Sequence, residues 1–141
     1  MCQNVYGPTA RFCKKILAKF NVKSTFVPPA VGADIIEYIG RDTKLIFLES
    51  PGSNTFEIQD IPAVTALAKP REIITVLDNT WATPLYLKPF DLGVDISIQS
   101  VTKYISGHSE YHDKTAVRLN IGLEDAEDLM QDLAKGFDRL K

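Results

Sequence analysis

Three short apolar runs recur along the chain, and they predict the strands of a sheet. The runs are residues 44–48, residues 72–77 and the first part of residues 95–109. The first run is continuously apolar after Lys44, which is the pattern of a strand that is buried on both faces. The third run begins with Ile96 and Ile98 in a mostly β-branched segment, and that composition favours a strand.

Segments with helical spacing alternate with these runs. They are residues 9–20, 33–39, 60–67 and 124–140. The first segment has an apolar stripe from Phe12 to Phe20, and Thr9 is placed to cap its first turn. The last segment follows a predicted strand at residues 116–121 and is strongly amphipathic. Because strands alternate with helices, we expect an α/β fold with a mainly parallel sheet flanked by helices.

The bulk composition is that of an ordinary globular domain. The chain has 141 residues, of which 45% are hydrophobic and 24% are charged. The net charge of −2 and the lack of a basic run argue against a nucleic-acid partner. No apolar run approaches the roughly 20 residues of a membrane helix, and the N-terminus lacks the apolar part of a signal peptide. We therefore expect a cytoplasmic protein in which Cys2 and Cys13 are reduced and have no catalytic role.

Polar segments follow each of the three predicted strands. They are residues 49–54, 78–80 and 100–103. In an open parallel sheet, ligands bind at the carboxyl ends of the strands, so these segments predict a ligand site. No G-x-G-x-x-G sequence or P-loop follows a strand, and dinucleotide and nucleoside-triphosphate binding therefore lose their main support.

Lys103 lies just past the third strand and is flanked by the hydroxyl residues Ser100 and Thr102. Its amine can form a Schiff base with an aldehyde cofactor, and the hydroxyls can hydrogen-bond a phosphate beside it. An arbitrary Ser-x-Thr-Lys is more often a strand end with a solvated lysine. Asp78 poses a similar choice, because an Asp-Asn pair at a strand end is often only a turn. A carboxylate there can also pair with a pyridine nitrogen.

Residues 95–109, with the sequence DISIQSVTKYISGHS, closely resemble the cofactor-lysine signature of the Cys/Met-metabolism family of pyridoxal-phosphate (PLP) enzymes. Val101 departs slightly, since the family usually has a smaller residue there. The resemblance implies part of the type I PLP-transferase fold, which is aspartate-aminotransferase-like. Residues 1–109 would form a partial large domain, residues 110–115 a seam, and residues 116–141 the terminal strand and helix of the small domain.

The resemblance also implies roles for individual residues. Lys103 would bind the cofactor covalently and act in catalysis, and Asp78, in the DNTWA segment, would face the pyridine nitrogen. Tyr6 would stack on the pyridine ring and support catalysis. The remaining roles are phosphate binding for Ser100 and Thr102, a place near the cofactor's phenolic oxygen for Ser53, and a two-pronged grip on the substrate carboxylate for Arg118. Without the resemblance, Tyr6 and Arg118 would be read as exposed side chains.

Trp81 and the ESPGS segment, residues 49–53, favour the bacterial cystathionine β-lyases within this family. The γ-acting members usually have Phe at the position of Trp81 and the sequence ESP-x-N in place of ESPGS. The implied reaction is a PLP-dependent carbon–sulfur β-elimination, which converts cystathionine into homocysteine, pyruvate and ammonia in methionine biosynthesis. A γ-lyase or γ-synthase remains an alternative, because these relatives share most of the residues. The resemblance also implies assembly as a homotetramer.

We expect a family member that lacks its beginning and a large internal block after Ser109. The first part would supply a Gly-rich phosphate loop, and the losses would leave sheet edges and apolar faces exposed. Two further alternatives are therefore a non-catalytic remnant and an interaction module that pairs with a full-length relative. His108 and His112 are four residues apart, but without a third ligand we expect no metal site.

Overall fold

The structure of the protein, a computed structural model, describes residues 1–104 and the positions 127, 130 and 131. The chain forms two compact units, Met1–Val101 and Thr102–Lys141. In the second unit, Glu127, Met130 and Gln131 are helical, as the predicted helix requires at these positions. The other predictions beyond residue 104 lie outside the described residues and stay predictions. They concern His108, His112, the seam at residues 110–115, the strand at residues 116–121 and Arg118.

The first unit contains a sheet of three parallel strands in the order β1-β2-β3. Their bounds are Leu45–Glu49 for β1, Ile74–Asp78 for β2 and Ile96–Ile98 for β3. The register pairs Glu49 with Asp78 and Asp78 with Ile98, so the three strands end at one common edge. A parallel sheet combined with helices confirms the predicted α/β fold class.

Helices alternate with the strands. The α-helices are α1 (Gly7–Lys15), α2 (Ile61–Ala68) and α3 (Thr83–Tyr86), and 3₁₀ helices span Leu17–Phe20, Gly32–Tyr38, Lys69–Arg71 and Pro89–Leu92. Helix α2 confirms the predicted helix at residues 60–67. Its first turn is capped by Asp60, whose Oδ1 accepts a hydrogen bond of 3.1 Å from the Ala63 N–H. Pro62 lies in this first turn, where its missing N–H costs nothing.

The prediction for the first helix is wrong in its start and in its buried face. Helix α1 begins at Gly7, so Thr9 lies inside it, and Tyr6 takes the capping position without a side-chain hydrogen bond. Phe12 is 50% exposed, whereas Cys13 is buried. Apolar spacing predicts a helix correctly here, but it does not identify the buried face, because α1 buries Cys13 and leaves the neighbouring Phe12 half-exposed.

The core lies on one face of the sheet. Alternate strand residues point to this face and pack against α2 and the neighbouring turns. The buried residues of this cluster are Ile35, Ile46, Leu48, Ile61, Val64, Ala68, Ile73, Leu77 and Val94. Asp95 holds the start of β3 in place, since its Oδ2 accepts hydrogen bonds from the Thr75 N–H at 2.7 Å and the Thr75 hydroxyl at 2.8 Å. These bonds lower the pKa of Asp95.

The opposite face of the sheet is apolar and partly open. Leu45, Ile74 and Ile96 are 50%, 47% and 45% exposed, while Val76 is buried near the middle of this face. The prediction that residues 44–48 are buried on both faces is therefore wrong, and the expected exposure of an apolar face is confirmed. Among the helices of the described residues, none has the length and apolar character of a membrane span.

Candidate functional site

The carboxyl ends of the strands bring the predicted polar segments to one edge of the sheet. Glu49 ends β1 and Asp78 ends β2, and the two residues are paired in the register. Paired residues on neighbouring strands lie about 4.8 Å apart, with their side chains on the same face. Ser100 follows β3, and its backbone N–H donates a hydrogen bond of 2.8 Å to the Thr80 hydroxyl. Polar groups from all three strand ends therefore meet at this edge.

Glu49 connects two of the predicted site residues. Its side chain is buried, with 7% of the residue exposed. The Tyr6 backbone N–H donates to Glu49 Oε2 at 2.9 Å, and the Ser53 hydroxyl donates to Glu49 Oε1 at 2.6 Å. The backbone of Glu49 is itself held, because its N–H donates to Gln59 Oε1 at 2.9 Å. One carboxylate thus ties Tyr6 and Ser53 to the end of β1.

The surroundings of Glu49 oppose its ionisation. Burial raises the pKa of Glu49, the hydrogen bonds from Ser53 and Tyr6 act in the opposite direction, and the nearby Asp78 carboxylate raises it further. Glu49 was not among the predicted site residues. The signal that could have found it is an acidic residue directly after a continuous apolar run, since that position is the buried end of a strand.

Asp78 is half-buried and takes part in the turn that follows β2. Its Oδ1 accepts a hydrogen bond of 3.0 Å from the Thr80 N–H, and among the described residues this is the one hydrogen bond its carboxylate accepts. Asn79 is fully buried and fixes the same turn. Its backbone N–H donates to the Ile98 carbonyl at 2.8 Å, and its Nδ2 donates to the Leu87 carbonyl at 3.0 Å. Asp78 therefore forms a turn and still has its second carboxylate oxygen to offer a ligand.

Tyr6 and Ser53 are accessible at this edge. Tyr6 is 52% exposed and precedes α1, so its backbone is anchored through Glu49 while its ring reaches solvent. Ser53 is half-buried, and its backbone N–H donates to the Asn4 carbonyl at 2.9 Å. The structure thus links Tyr6, Ser53, Asp78 and Ser100 to the carboxyl edge of the first unit.

Thr102 and Lys103 lie in the turn of residues 101–104 and belong to the second compact unit. Thr102 is exposed and Lys103 is half-buried. In sequence they follow Ser100 by two and three positions. Arg118 lies outside the described residues, so its predicted place at the substrate stays a prediction.

Gly52 packs directly against the side chain of Asn4. A Cβ atom built on Gly52 would overlap the Asn4 Nδ2 and Cγ atoms. The Asn4 amide has little room to withdraw, because its Nδ2 donates to Glu57 Oε2 at 2.6 Å and to the Thr55 hydroxyl at 3.2 Å. Gly52 does not have a positive φ, so the requirement for glycine here is steric and not conformational.

We expect Gly52→Ala to lower the free energy of unfolding by about 1–3 kcal/mol, because the added methyl group overpacks the contact with Asn4. In an Asn4→Ala background the same substitution should cost much less, because the clashing amide is gone. Urea unfolding of the four variants measures this coupling. Gly40→Ala is the control, since nothing lies within 4 Å of a Cβ on Gly40. Equal costs of Gly52→Ala with and without Asn4 would contradict the steric explanation.

The Trp81 ring contacts the loop that contains the ESPGS segment. Trp81 and Phe56 have ring centroids 5.5 Å apart with an interplanar angle of 53°. This contact joins the segment after β2 to the segment after β1. Both sequence features that favour β-lyases therefore belong to one contiguous part of the structure. Within the described ranges, no group of three or more His, Cys, Asp or Glu side chains is placed to hold a metal ion.

Comparison with known proteins identifies relatives over most of the chain. The family described as Cys/Met metabolism PLP-dependent enzyme matches residues 1–113. A putative cystathionine β-lyase of Saccharomyces cerevisiae is 49% identical over 110 residues, which cover 78% of this chain and 32% of that protein. An L-alanine/L-glutamate racemase of Wolbachia pipientis wMel is 46% identical over 107 residues, which cover 77% of this chain and 26% of that protein.

A solved structure gives a similar result. The crystal structure of cystathionine γ-lyase from Lactobacillus plantarum, complexed with L-serine, matches with a TM-score of 0.73 and 38% identity. The match covers 77% of this chain and 29% of that chain. This chain therefore spans about a third or less of the length of the relatives it matches.

Proposed function

Because the chain belongs to the Cys/Met metabolism PLP-dependent enzyme family, we propose that it binds pyridoxal phosphate at the carboxyl edge of its sheet. We further propose that its function is that of a carbon–sulfur β-lyase, which converts cystathionine into homocysteine, pyruvate and ammonia. The observation that supports this best is the connected edge of the first unit. There one buried carboxylate holds Tyr6 and Ser53 beside Asp78, which ends the central strand.

The chemistry of these side chains fits the cofactor. Asp78 has a second carboxylate oxygen to pair with the pyridine nitrogen, and the exposed Tyr6 ring offers a flat surface for the pyridine ring. Ser100 and Thr102 are hydroxyl donors suited to the phosphate. Lys103 would bind the aldehyde carbon covalently through its amine. Each part of the cofactor therefore has a matching residue in the predicted set.

Bound pyridoxal phosphate would supply an electron sink for the negative charge that forms at the substrate's Cα. Asp78 would hold the proton on the ring nitrogen, which that role requires. Lys103, with its amine released by the incoming substrate, would take the Cα proton as a general base. As the Cβ–S bond breaks, the sulfur leaves with the bonding electrons and Lys103 returns a proton to it. The three-carbon fragment that remains, which still carries the amino nitrogen, would react with water and release ammonia to give pyruvate.

The substrate carboxylate is the proposed partner of Arg118, as the family resemblance implies. We also keep the cytoplasm as the proposed compartment, because both cysteines, Cys2 and Cys13, are unpaired thiols. Assembly as a homotetramer, as the family resemblance implies, is part of the same proposal, and the interaction module that pairs with a longer relative stays an alternative to it. The net charge of −2 supports a small-molecule substrate over a nucleic acid.

Racemisation is a second candidate, favoured by the 46% identity to the Wolbachia racemase. It begins with the same proton removal at Cα but breaks no carbon–sulfur bond. A γ-elimination, favoured by the likeness to the Lactobacillus γ-lyase, would take up water and release cysteine, a four-carbon keto acid and ammonia. Trp81 and the ESPGS segment support the β-elimination over the γ-elimination. Product analysis separates the three, because only the β-elimination yields homocysteine and pyruvate.

Cofactor attachment is the first test of the proposed function. The purified full chain is incubated with pyridoxal phosphate, and the absorption band of the lysine-bound cofactor is recorded. Borohydride reduction followed by mass spectrometry should then find the pyridoxyl group on Lys103 alone. Lys103→Ala should lose more than about 90% of this label, whereas the exposed control Lys88→Ala should keep it.

Two results would contradict the proposed function. One is the absence of the absorption band, and the other is a label spread over several lysines. Either result would mean that the site is not assembled in this chain. The non-catalytic remnant would then be the better description.

A further inference from the structure

We propose that Glu49 is a positioning residue that sets the places of Tyr6 and Ser53 relative to the bound cofactor. This inference rests on the proposed function and adds to it a residue that touches neither cofactor nor substrate. Its basis is the arrangement of hydrogen bonds around one buried carboxylate at the end of β1. The role requires that Glu49 act through the two residues it holds.

The geometry lets Glu49 hold two segments, one distant in sequence and one nearby. Tyr6 is 43 residues away in sequence and donates its backbone N–H, so the bond locates the main chain from which the ring projects. Ser53 is four residues away and donates its hydroxyl to the other oxygen. Each carboxylate oxygen therefore holds one segment. The hydrogen bond of 2.9 Å that the Glu49 backbone N–H donates to Gln59 Oε1 keeps Glu49 itself in place.

An ionised carboxylate suits this task better than any neutral side chain of the same size. It accepts on both oxygens and donates nothing. A glutamine has one acceptor oxygen and an amide group that must donate, so either the Tyr6 N–H or the Ser53 hydroxyl would lose its acceptor. With Glu49 present, the Ser53 hydroxyl donates its hydrogen bond to the carboxylate and offers only acceptor lone pairs to a cofactor. Glutamine would let the Ser53 hydroxyl turn and become a donor instead.

Stability alone does not explain a carboxylate at this position. Glu49 is buried beside Asp78, and both burial and the like charge work against its ionised form. Among the described residues, the titratable groups that interact with it are Asp78 on β2 and Cys2, whose pKa is raised in part by Glu49. A neutral residue would avoid this electrostatic cost. We therefore expect the charge to weaken the fold slightly while it serves the site.

The pH dependence of stability follows from the sign of this shift. The pKa of Glu49 is raised above its ordinary value of 4.5, so folding favours the protonated form. Protonated Glu49 contributes fully to the free energy of unfolding below its ordinary pKa, and this contribution is lost as the pH rises through its raised pKa in the folded chain. Because glutamine does not titrate, Glu49→Gln should not lose stability over this pH range. At pH 8 its free energy of unfolding should be equal to or higher than that of the unaltered chain.

The test compares Glu49→Gln, Glu49→Ala and the exposed control Glu37→Gln in the full chain. Pyridoxal phosphate is the titrant, and both the Kd and the absorption maximum of the bound cofactor are measured, with urea unfolding from pH 5 to pH 8. We expect Glu49→Gln to weaken binding roughly 3- to 10-fold and to shift the absorption maximum, because Ser53 changes from acceptor to donor. Glu49→Ala should weaken binding further, and Glu37→Gln should change neither quantity.

The outcomes distinguish a failure of the proposed function from a failure of the role assigned to Glu49. If the unaltered chain takes up no cofactor at Lys103, the proposed function fails, and the role of Glu49 falls with it. If the unaltered chain binds the cofactor and Glu49→Gln has the same Kd and spectrum, the proposed function stands and this inference is overturned. A marked loss of stability in Glu49→Gln would also overturn it, because Glu49 would then be a structural residue. If Glu49→Ala does not fold, Glu49→Gln still decides, since it keeps the side-chain volume.

Discussion

Replacing Asp78 with asparagine is expected to weaken pyridoxal phosphate binding about 10- to 100-fold and to leave the fold intact. A hydrogen bond to a charged group contributes about 1.5–3 kcal/mol, which corresponds to this range of affinity. Asparagine keeps the oxygen that accepts the Thr80 N–H, so the turn after β2 is preserved. The substitution removes only the negative charge that would face the ring nitrogen. It also removes a like charge beside Glu49, so no loss of stability is expected.

Titration of the full chain with the cofactor measures this affinity, and urea unfolding tests the fold. Asp34→Asn is the matched control, because Asp34 is exposed in the 3₁₀ helix Gly32–Tyr38 and has no predicted role in the site. Its affinity should equal that of the unaltered chain. If Asp78→Asn also binds with unchanged affinity, the carboxylate has only its turn-forming role, and the pairing with the ring nitrogen is wrong.

Asp78 shows why part of the site could be predicted from the sequence. Apolar runs mark strands, and the carboxyl ends of parallel strands meet at one edge, so Asp78 and Ser100 could be placed together without any structure. The same local signals place α2, where Asp60 and Pro62 mark the start of the helix. In each case, the information lies within a few residues of the feature.

Glu49 shows the limit of such reasoning. Its hydrogen bond to Tyr6 joins residues 43 positions apart, and no periodicity within either segment encodes that contact. The Gly52–Asn4 contact has the same character, since the space for a Cβ is decided by a side chain from the N-terminal segment. The start of α1 was predicted wrongly for a related reason. Tyr6 precedes the helix with its backbone held by Glu49, and not through a cap of its own.

The burial of individual strand residues also could not be predicted from the apolar pattern. A continuous apolar strand does not reveal which of its faces meets the core, and β2 carries both kinds of position. Leu77 is fully buried in the core, whereas Ile74, three residues earlier and on the opposite face, is 47% exposed. The sequence assigns the two side chains equal hydrophobic character. Their contributions to stability should differ greatly.

We expect Leu77→Ala to lower the free energy of unfolding by about 2–5 kcal/mol, because it leaves a cavity between the sheet and α2. A domain of this size has a total stability of about 5–15 kcal/mol, so this single change should remove a large part of it. Ile74→Ala, the control on the same strand, should cost about 1 kcal/mol or less, because the exposed side chain leaves no cavity. Urea unfolding of both variants, with the slope compared as well as the midpoint, measures the difference.

Similar losses for Leu77→Ala and Ile74→Ala would contradict this prediction. They would mean that the face of Ile74 is covered in solution, where the structure shows it open. A dependence of the Ile74→Ala loss on protein concentration would then identify a second copy as the cover, because association stabilises by mass action. A large loss for Leu77→Ala alone would establish that the face of the sheet that packs against α2 contributes most of its stability. The strand ends that carry Glu49 and Asp78 would then depend mainly on that core.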